Sequence, residues 1–311
     1  MTESAAGGGW HEREEAIMGT RIAVQLWTED PELARLGIDS VIAEMHRVDH
    51  LMSTYKPESQ LSQVNAHAHE RPITVDPDIV DVVAKSFEYS RLSDGLFDVT
   101  YASVGHLYDY RAGRHPSDGE IAAALPAVDY RQVEVDRERC TIRFLKPGMR
   151  IDLGGFAKGW AVDRGAAILS SLGIRNAMVT AGGDTRFVGD RLGKPWIVGI
   201  RDPRREGAVV TRLPLVDEAV STSGDYERYF EQDGVRYHHI LVPGTGKSPA
   251  AVRSVTIIGP TATHTDGLTK PVFILGVERG MEYLRRVGDV DAVIIDAEGA
   301  VYYSPGLEPR G

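Results

Sequence analysis

Between Arg150 and Asp184 the chain runs through two glycine pairs, the first between a strand pattern and a helical one, the second at the end of a strand. Arg150-Ile151-Asp152-Leu153 reads as a short strand, and Gly154-Gly155 turns the chain. A helix is predicted from about Lys158 to Leu172, stopped by Gly173. Ala177 to Ala181 then reads as a strand entering Gly182-Gly183-Asp184. Such a succession needs strands and a helix packed side by side, with backbone approaching closely at the glycines.

The flanking sequence extends the same mixture. Residues 17–27 alternate weakly and read as a strand. Pro31 opens a helix whose apolar face carries Leu33, Leu36, Ile38, Val41, Ile42, Met45 and Val48. Ser53 to Asn65 is polar and turn-like, and 77–93 is a second amphipathic helix ending near Gly95. Residues 96–116 read as irregular and 117–125 as a short helix, with strands near 130–136 and 140–145. Further strands are expected at 196–200, 208–215, 235–242, 253–259, 271–275 and 292–296, with a helix at 278–287. No internal repeat or long linker interrupts them. The expected fold class is α+β, a single domain over 15–311 behind a flexible tail over 1–14.

Charge narrows the partners. With 35 Lys+Arg against 45 Asp+Glu the chain carries a net charge of −10, a poor match to nucleic-acid phosphates. A small phosphate-bearing ligand sees only its own pocket and stays open. Cys140 alone makes no internal disulfide and reads as a small buried apolar residue. The start of the chain lacks a basic region followed by an apolar one, and no run of about 18 apolar residues spans a membrane. A cytoplasmic location is expected.

Four segments have side chains suited to chemistry. In Asp152–Gly159 a helix N-terminus behind two glycines offers N–H groups and Lys158 to an anion, although a tight turn without ligand has the same pattern. Ala181–Asp184, taken singly, reads as an ordinary loop in which Asp184 bonds its own backbone. His238 and His239 lie in a strand and point to opposite faces, so only one of them faces a given pocket, where it suits a general base. Thr263 to Lys270 offers oxygens for a hard cation, or a helix start capped by Thr265 or Asp266.

The order of these segments is more specific than any one of them. Met18-Gly19-Thr20 comes first, followed by Ser53-Thr54-Tyr55, Ser59, Asn65 and Gly95 to Thr100. Asp152 to Arg164 (DLGG-x-AKG-x-AVDR) and Ala181 to Asp184 come next. Trp196, Asp202-Pro203, Thr222 to Tyr226, His239-Ile240, Thr245-Gly246 and Asp266 complete the series. This succession resembles the FAD:protein FMN transferases, the ApbE family, from about residue 15 to 300.

The resemblance implies a T-fold-related architecture with FAD in a central cleft. It implies cleavage of FAD, release of AMP, and attachment of FMN to a Ser or Thr of an acceptor flavoprotein. By position it assigns Met18, Tyr55, Leu96, Phe97, Asp98, Asp152, Lys158 and Ile240 to FAD, and His239 to the acceptor hydroxyl's proton. It places magnesium at Gly155, Asp266 and a Thr four residues beyond that Asp, where this chain has Lys270. It also expects an Asp where Val242 stands. Both departures remove what a cation wants, since a charged lysine has donors and no acceptor. Three arrangements follow. Thr269 or water supplies the missing ligand, or Lys270 stands at the pyrophosphate as a fixed cation, or the chain binds FAD without transferring FMN. An FAD carrier or sensor and a hydrolase giving FMN and AMP are the competing functions. A Rossmann dehydrogenase is disfavoured, because no Gly-x-Gly-x-x-Gly follows the first strand.

Overall fold

The computed structural model describes residues 8–205 and 207–307. Gly9–Ile17 (β1) and Thr20–Thr28 (β2) pair antiparallel across a two-residue turn. Met18 and Gly19 both have positive φ there, 54° and 68°, the hand of twist a tight hairpin needs. From Gly9 onward the expected tail is therefore an edge strand; residues 1–7 lie outside the described residues. Its sequence is dominated by charged residues, as suits an edge facing water, and this hid the strand.

Pro31–Met52 (α1) is capped by Asp30, whose carboxylate accepts from the N–H groups of Glu32 and Leu33 at 2.9 and 3.2 Å. The supposed turn after Ser53 contains a helix, Gln60–His67 (α2), capped by Ser59. Ile73–Thr74 (β3) and Pro77–Leu92 (α3) follow. The stretch over 96–116 holds two short helical turns, Val99–Tyr101 and Ala102–Gly105 (α4). Asp118–Ala124 (α5) begins at a capping box between Ser117 and Glu120. Val133–Asp136 (β4) and Thr141–Phe144 (β5) form a small sheet with β3. Cys140 sits half-buried in the turn between them, at φ 50°, and not in the core.

Residues 150–153 are extended but join no sheet. The buried side chain of Asn65 takes a strand's place: its amide donates to the Ile151 carbonyl (2.9 Å) and accepts from the Ile151 N–H (2.7 Å). Ala157–Ser171 (α6), Ala177–Ala181 (β6) and Asp184–Val188 (β7) then form the expected succession. Trp196–Arg201 (β8) and Val209–Leu215 (β9) are a separate hairpin. Ala219–Gly224 (β10) precedes a second hairpin, Tyr229–Gln232 (β11) and Val235–His238 (β12), so the strand expected over 235–242 ends at His238.

Val252–Gly259 (β13) leads into Ala262–Leu275 (α7). The strand expected at 271–275 is thus the end of a helix that continues through Pro271. Val272 and Phe273 are fully buried, and a helix covered on all sides has an apolar run that reads like a strand. Val277–Val287 (α8), Asp291–Asp296 (β14) and Val301–Tyr303 (β15) complete the described chain.

Among the described residues, eight strands form one sheet in the order β1-β2-β6-β7-β10-β13-β14-β15, with every neighbouring pair antiparallel. Helices α1, α6 and α7 cover one face, and their apolar side chains merge with Ile22, Val24, Leu26, Val179 and Ile257. The β8–β9 hairpin covers part of the other face through Trp196, Ile200 and Leu213, which pack on Phe187 and Val220. The α+β, single-domain expectation holds.

Candidate active site

Helix α6 crosses α7 at Gly159, where a Cβ would fall 2.4 Å from the Ala262 carbonyl oxygen. That approach brings Lys158 beside two buried carboxylates. Its Nζ lies 3.1 Å from Asp184 Oδ2 and 3.9 Å from Asp266 Oδ2, and it donates to the Gly154 carbonyl at 2.9 Å. Asp184 starts β7 immediately after Gly182-Gly183, and it faces this lysine rather than its own backbone turn.

Two further contacts fix α7. Thr261 caps it, displacing the expected Thr265 or Asp266, and Asp163 of α6 accepts from the N–H groups of Ala262 and Thr263, both at 2.8 Å. On the sheet side, Ser221 and Ser223 of β10 hydrogen-bond Thr265 (2.8 Å) and Thr269 (2.9 Å). Alternate residues of β10 thus hold α7 in rotation, which aims Asp266 and Lys270 toward Gly155 and Lys158.

Lys270 is ion-paired with Asp266 Oδ1, and its Nζ also donates to the Asp266 carbonyl at 3.1 Å. Its stem packs against Gly155, whose Cβ position is 3.2 Å from Lys270 Cε and 3.8 Å from Nζ. The other Asp266 oxygen accepts from the Gly159 N–H at 3.3 Å. Thr269 is fully buried; its hydroxyl donates to the Asp266 carbonyl (2.9 Å) and accepts from Ser223. The residues present therefore do not fit a divalent ion as arranged. The ammonium of Lys270 already holds the carboxylate beside Gly155, and Thr269 points into the core. Among the described residues, no three His, Cys, Asp or Glu side chains converge as metal ligands.

Electrostatics follow from this crowding. Burial, and then the nearby Asp266 carboxylate, holds Asp184 above the usual carboxylate range against the pull of Lys158 and Lys270. Burial alone would depress Lys158, but Asp184 and Asp266 outweigh it and hold its pKa above the ordinary value. His239 follows β12 and anchors its N–H on the Arg228 carbonyl (3.1 Å). Its Nδ1 is buried and has no hydrogen-bond partner among the described residues. Burial first, and then the charges of His238, Arg228, Lys270 and Lys158, push its pKa down to about 3. The ring is thus neutral near pH 7, and without an anion beside it this environment opposes its protonation. His238 points the other way, with Nε2 against the Pro249 carbonyl at 2.8 Å and its ring edge-on to Phe273.

The other expected positions do not share one environment. Asp152 accepts from the Gly154 N–H (2.6 Å) and the Thr54 hydroxyl (3.3 Å). Tyr55 is 79% exposed, with its hydroxyl 3.5 Å from Arg228 Nη1. Arg228 also reaches toward Gly19, so it links the Met18 turn to Tyr55 and His239, and no motif pointed to it. Leu96 and Asp98 line a cavity of about 270 Å³ with Tyr130, Val242 and Pro243. Asp98 is tied to the N–H groups of Thr100 (2.8 Å) and Tyr130 (3.0 Å), and burial raises its pKa. Phe97 turns inward, packing against Tyr89 and Phe156, and Ile240 is likewise buried in the core. Val242 therefore borders the Leu96 cavity, whereas Lys270 sits at Gly155 and Asp266; the two departures have different neighbours.

The ApbE family model matches residues 18–294, which is most of the chain. The chain belongs to the ApbE family. A curated relative from Treponema pallidum, named FAD:protein FMN transferase, is 30% identical over 96% of this chain and 88% of its own length. One of the same name from Vibrio cholerae is 36% identical over 81% of this chain and 76% of its own. Among solved structures, the ApbE protein of Thermotoga maritima superposes with a TM-score of 0.89 at 33% identity, covering 96% of this chain and 98% of that one. The flavin transferase ApbE of Vibrio cholerae superposes at 0.86 and 28% identity, covering 97% and 99%. Among the described residues no helix is long and apolar enough to cross a membrane.

Proposed function

We propose that this ApbE-family chain is an FAD:protein FMN transferase, with FAD as donor and a Ser or Thr of an acceptor flavoprotein as acceptor. The observation that carries the reading is His239. It is a neutral imidazole with a free Nδ1, set in the field of Lys158, Lys270 and Arg228 in a chain of net charge −10. Lys158, Lys270 and Arg228 gathered around one point of an acidic protein suit a pyrophosphate, and a neutral imidazole among them suits a hydroxyl about to lose its proton.

In this reading the flavin end of FAD lies toward Tyr55, Asp152 and the cavity beside Leu96, and the pyrophosphate lies over Lys158. His239 Nδ1 accepts the proton of the acceptor hydroxyl. That oxygen bonds to the phosphorus of the FMN half, the bridging P–O bond breaks, and AMP leaves with the electron pair. Lys158 and Arg228 stabilise the charge gathering on the departing phosphate. Anionic substrate also opposes the cations that depress His239, so the ring becomes more basic when FAD is bound.

Intact mass of an acceptor flavoprotein incubated with the chain and FAD tests this directly. A mass gain equal to one FMN, with AMP released, is the expected result. FAD retained intact would make the chain a carrier, and free FMN without acceptor would make it a hydrolase.

A further inference from the structure

Resting on that reading of the cleft, we infer that the Lys270 ammonium is the resident cation of the FAD site and takes the place of a divalent ion. Three observations converge on it. Lys270 pairs with one oxygen of Asp266, a carboxylate only 1% exposed. The same ammonium donates to the Asp266 backbone carbonyl at 3.1 Å. Its stem fills the space beside Gly155, leaving Nζ 3.8 Å from the Cβ position of that glycine. A covalently attached positive charge thus pairs with the carboxylate, and its stem lies against the glycine, at the two residues the resemblance assigns to a metal.

The consequence is chemical as well as steric. A metal at this place brings two charges and open coordination positions, and it leaves on chelation. Lysine brings one charge and three donors, and it cannot leave. Lys158 supplies a second ammonium against Asp184, so the two lysines and two aspartates balance before substrate arrives. Mg²⁺ entering this knot would have to displace Lys270 from Asp266 and sit beside two ammonium groups, which Coulomb repulsion opposes.

Mn²⁺ titration followed by electron paramagnetic resonance tests the inference without FAD or turnover. The parent is expected to hold no tight Mn²⁺, and Lys270→Thr, which restores an oxygen beside Asp266, is expected to gain one site. Tight Mn²⁺ binding by the parent that Asp266→Asn abolishes would overturn the proposal, and so would a Lys270→Thr variant that gains no site. Lys270→Met keeps the stem and removes the charge, so it serves if the threonine variant fails to fold. Flavin fluorescence should show parent FAD affinity unchanged by millimolar Mg²⁺ or by chelator. In Lys270→Met it should be about ten- to a hundred-fold weaker, with no recovery on adding Mg²⁺. Parent-like affinity in Lys270→Met overturns the role of the lysine. A parent that binds no FAD at all refutes the transferase reading, and the Mn²⁺ arm still decides the fate of Lys270.

Discussion

Lys158 and Asp184 come from opposite sides of the α6–β6 connection and meet at 3.1 Å, Asp184 almost wholly buried and Lys158 with a quarter of its side chain in reach of solvent. The pair joins the helix that opens behind Gly154-Gly155 to the strand that opens behind Gly182-Gly183. Both glycine pairs therefore deliver charge to one point.

Asp184→Asn should lower stability by about 3 kcal/mol, because it leaves a largely buried ammonium without its nearest carboxylate. Urea denaturation measures it. A change under about 0.5 kcal/mol would mean that Asp266 and the Gly154 carbonyl suffice for Lys158.

Asp163 caps the first turn of α7 through the N–H groups of Ala262 and Thr263. Asp163→Ala should cost about 1–2 kcal/mol and also weaken FAD binding, since α7 carries Asp266 and Lys270. Denaturation and flavin fluorescence together separate the two effects. Lost stability with intact affinity would confine Asp163 to folding.

The pH dependence of stability has a definite sign at His239. Its folded pKa is about 3 against an ordinary 6.5, so below pH 6.5 the unfolded chain takes up a proton that the folded chain refuses. This group costs nothing above pH 6.5, and stability falls as pH drops from there toward 3, by at most about 1.4 kcal/mol per pH unit. His239→Asn should flatten the curve between pH 6.5 and about 5, before carboxylates dominate. Identical slopes in parent and variant would remove the basis for a neutral buried imidazole.

Arg228 is exposed and spans the space between Gly19 and Tyr55. Arg228→Gln should weaken FAD about five-fold at low salt and leave the melting temperature unchanged, with the difference shrinking as ionic strength rises. A salt-independent loss would point to shape and not to charge.

The sequence motif Asp152 to Arg164 was legible as a unit, but the work of its residues was not. Asp152 accepts from the Gly154 N–H, Gly155 lies against Lys270, and Lys158 pairs with Asp184. Gly159 admits α7, Asp163 caps it, and Arg164 reaches Glu44 of α1 at 2.5 Å. A linear pattern does not distinguish these, because what separates them is which helix lies opposite. The same holds for Asp184, which reads as a loop residue until β7 pairs with β10 and turns it inward. Helices with one wet face, α1 and α3, show their period in the sequence. The buried end of α7 does not, since a helix covered on every side leaves no periodic trace. Asn65 was seen as part of a polar turn, and only the three-dimensional fold shows its amide standing in for a strand.

The charged edge formed by β1 has a practical consequence for anyone shortening this protein. Trimming the chain through Ile17 would strip the outer strand and leave β2 as the rim, with Ile22, Val24 and Leu26 in a row of unpaired amides and carbonyls. A rim of that composition recruits other chains. Poor yield and light scattering after such a truncation would then be a property of the cut and not of the enzyme.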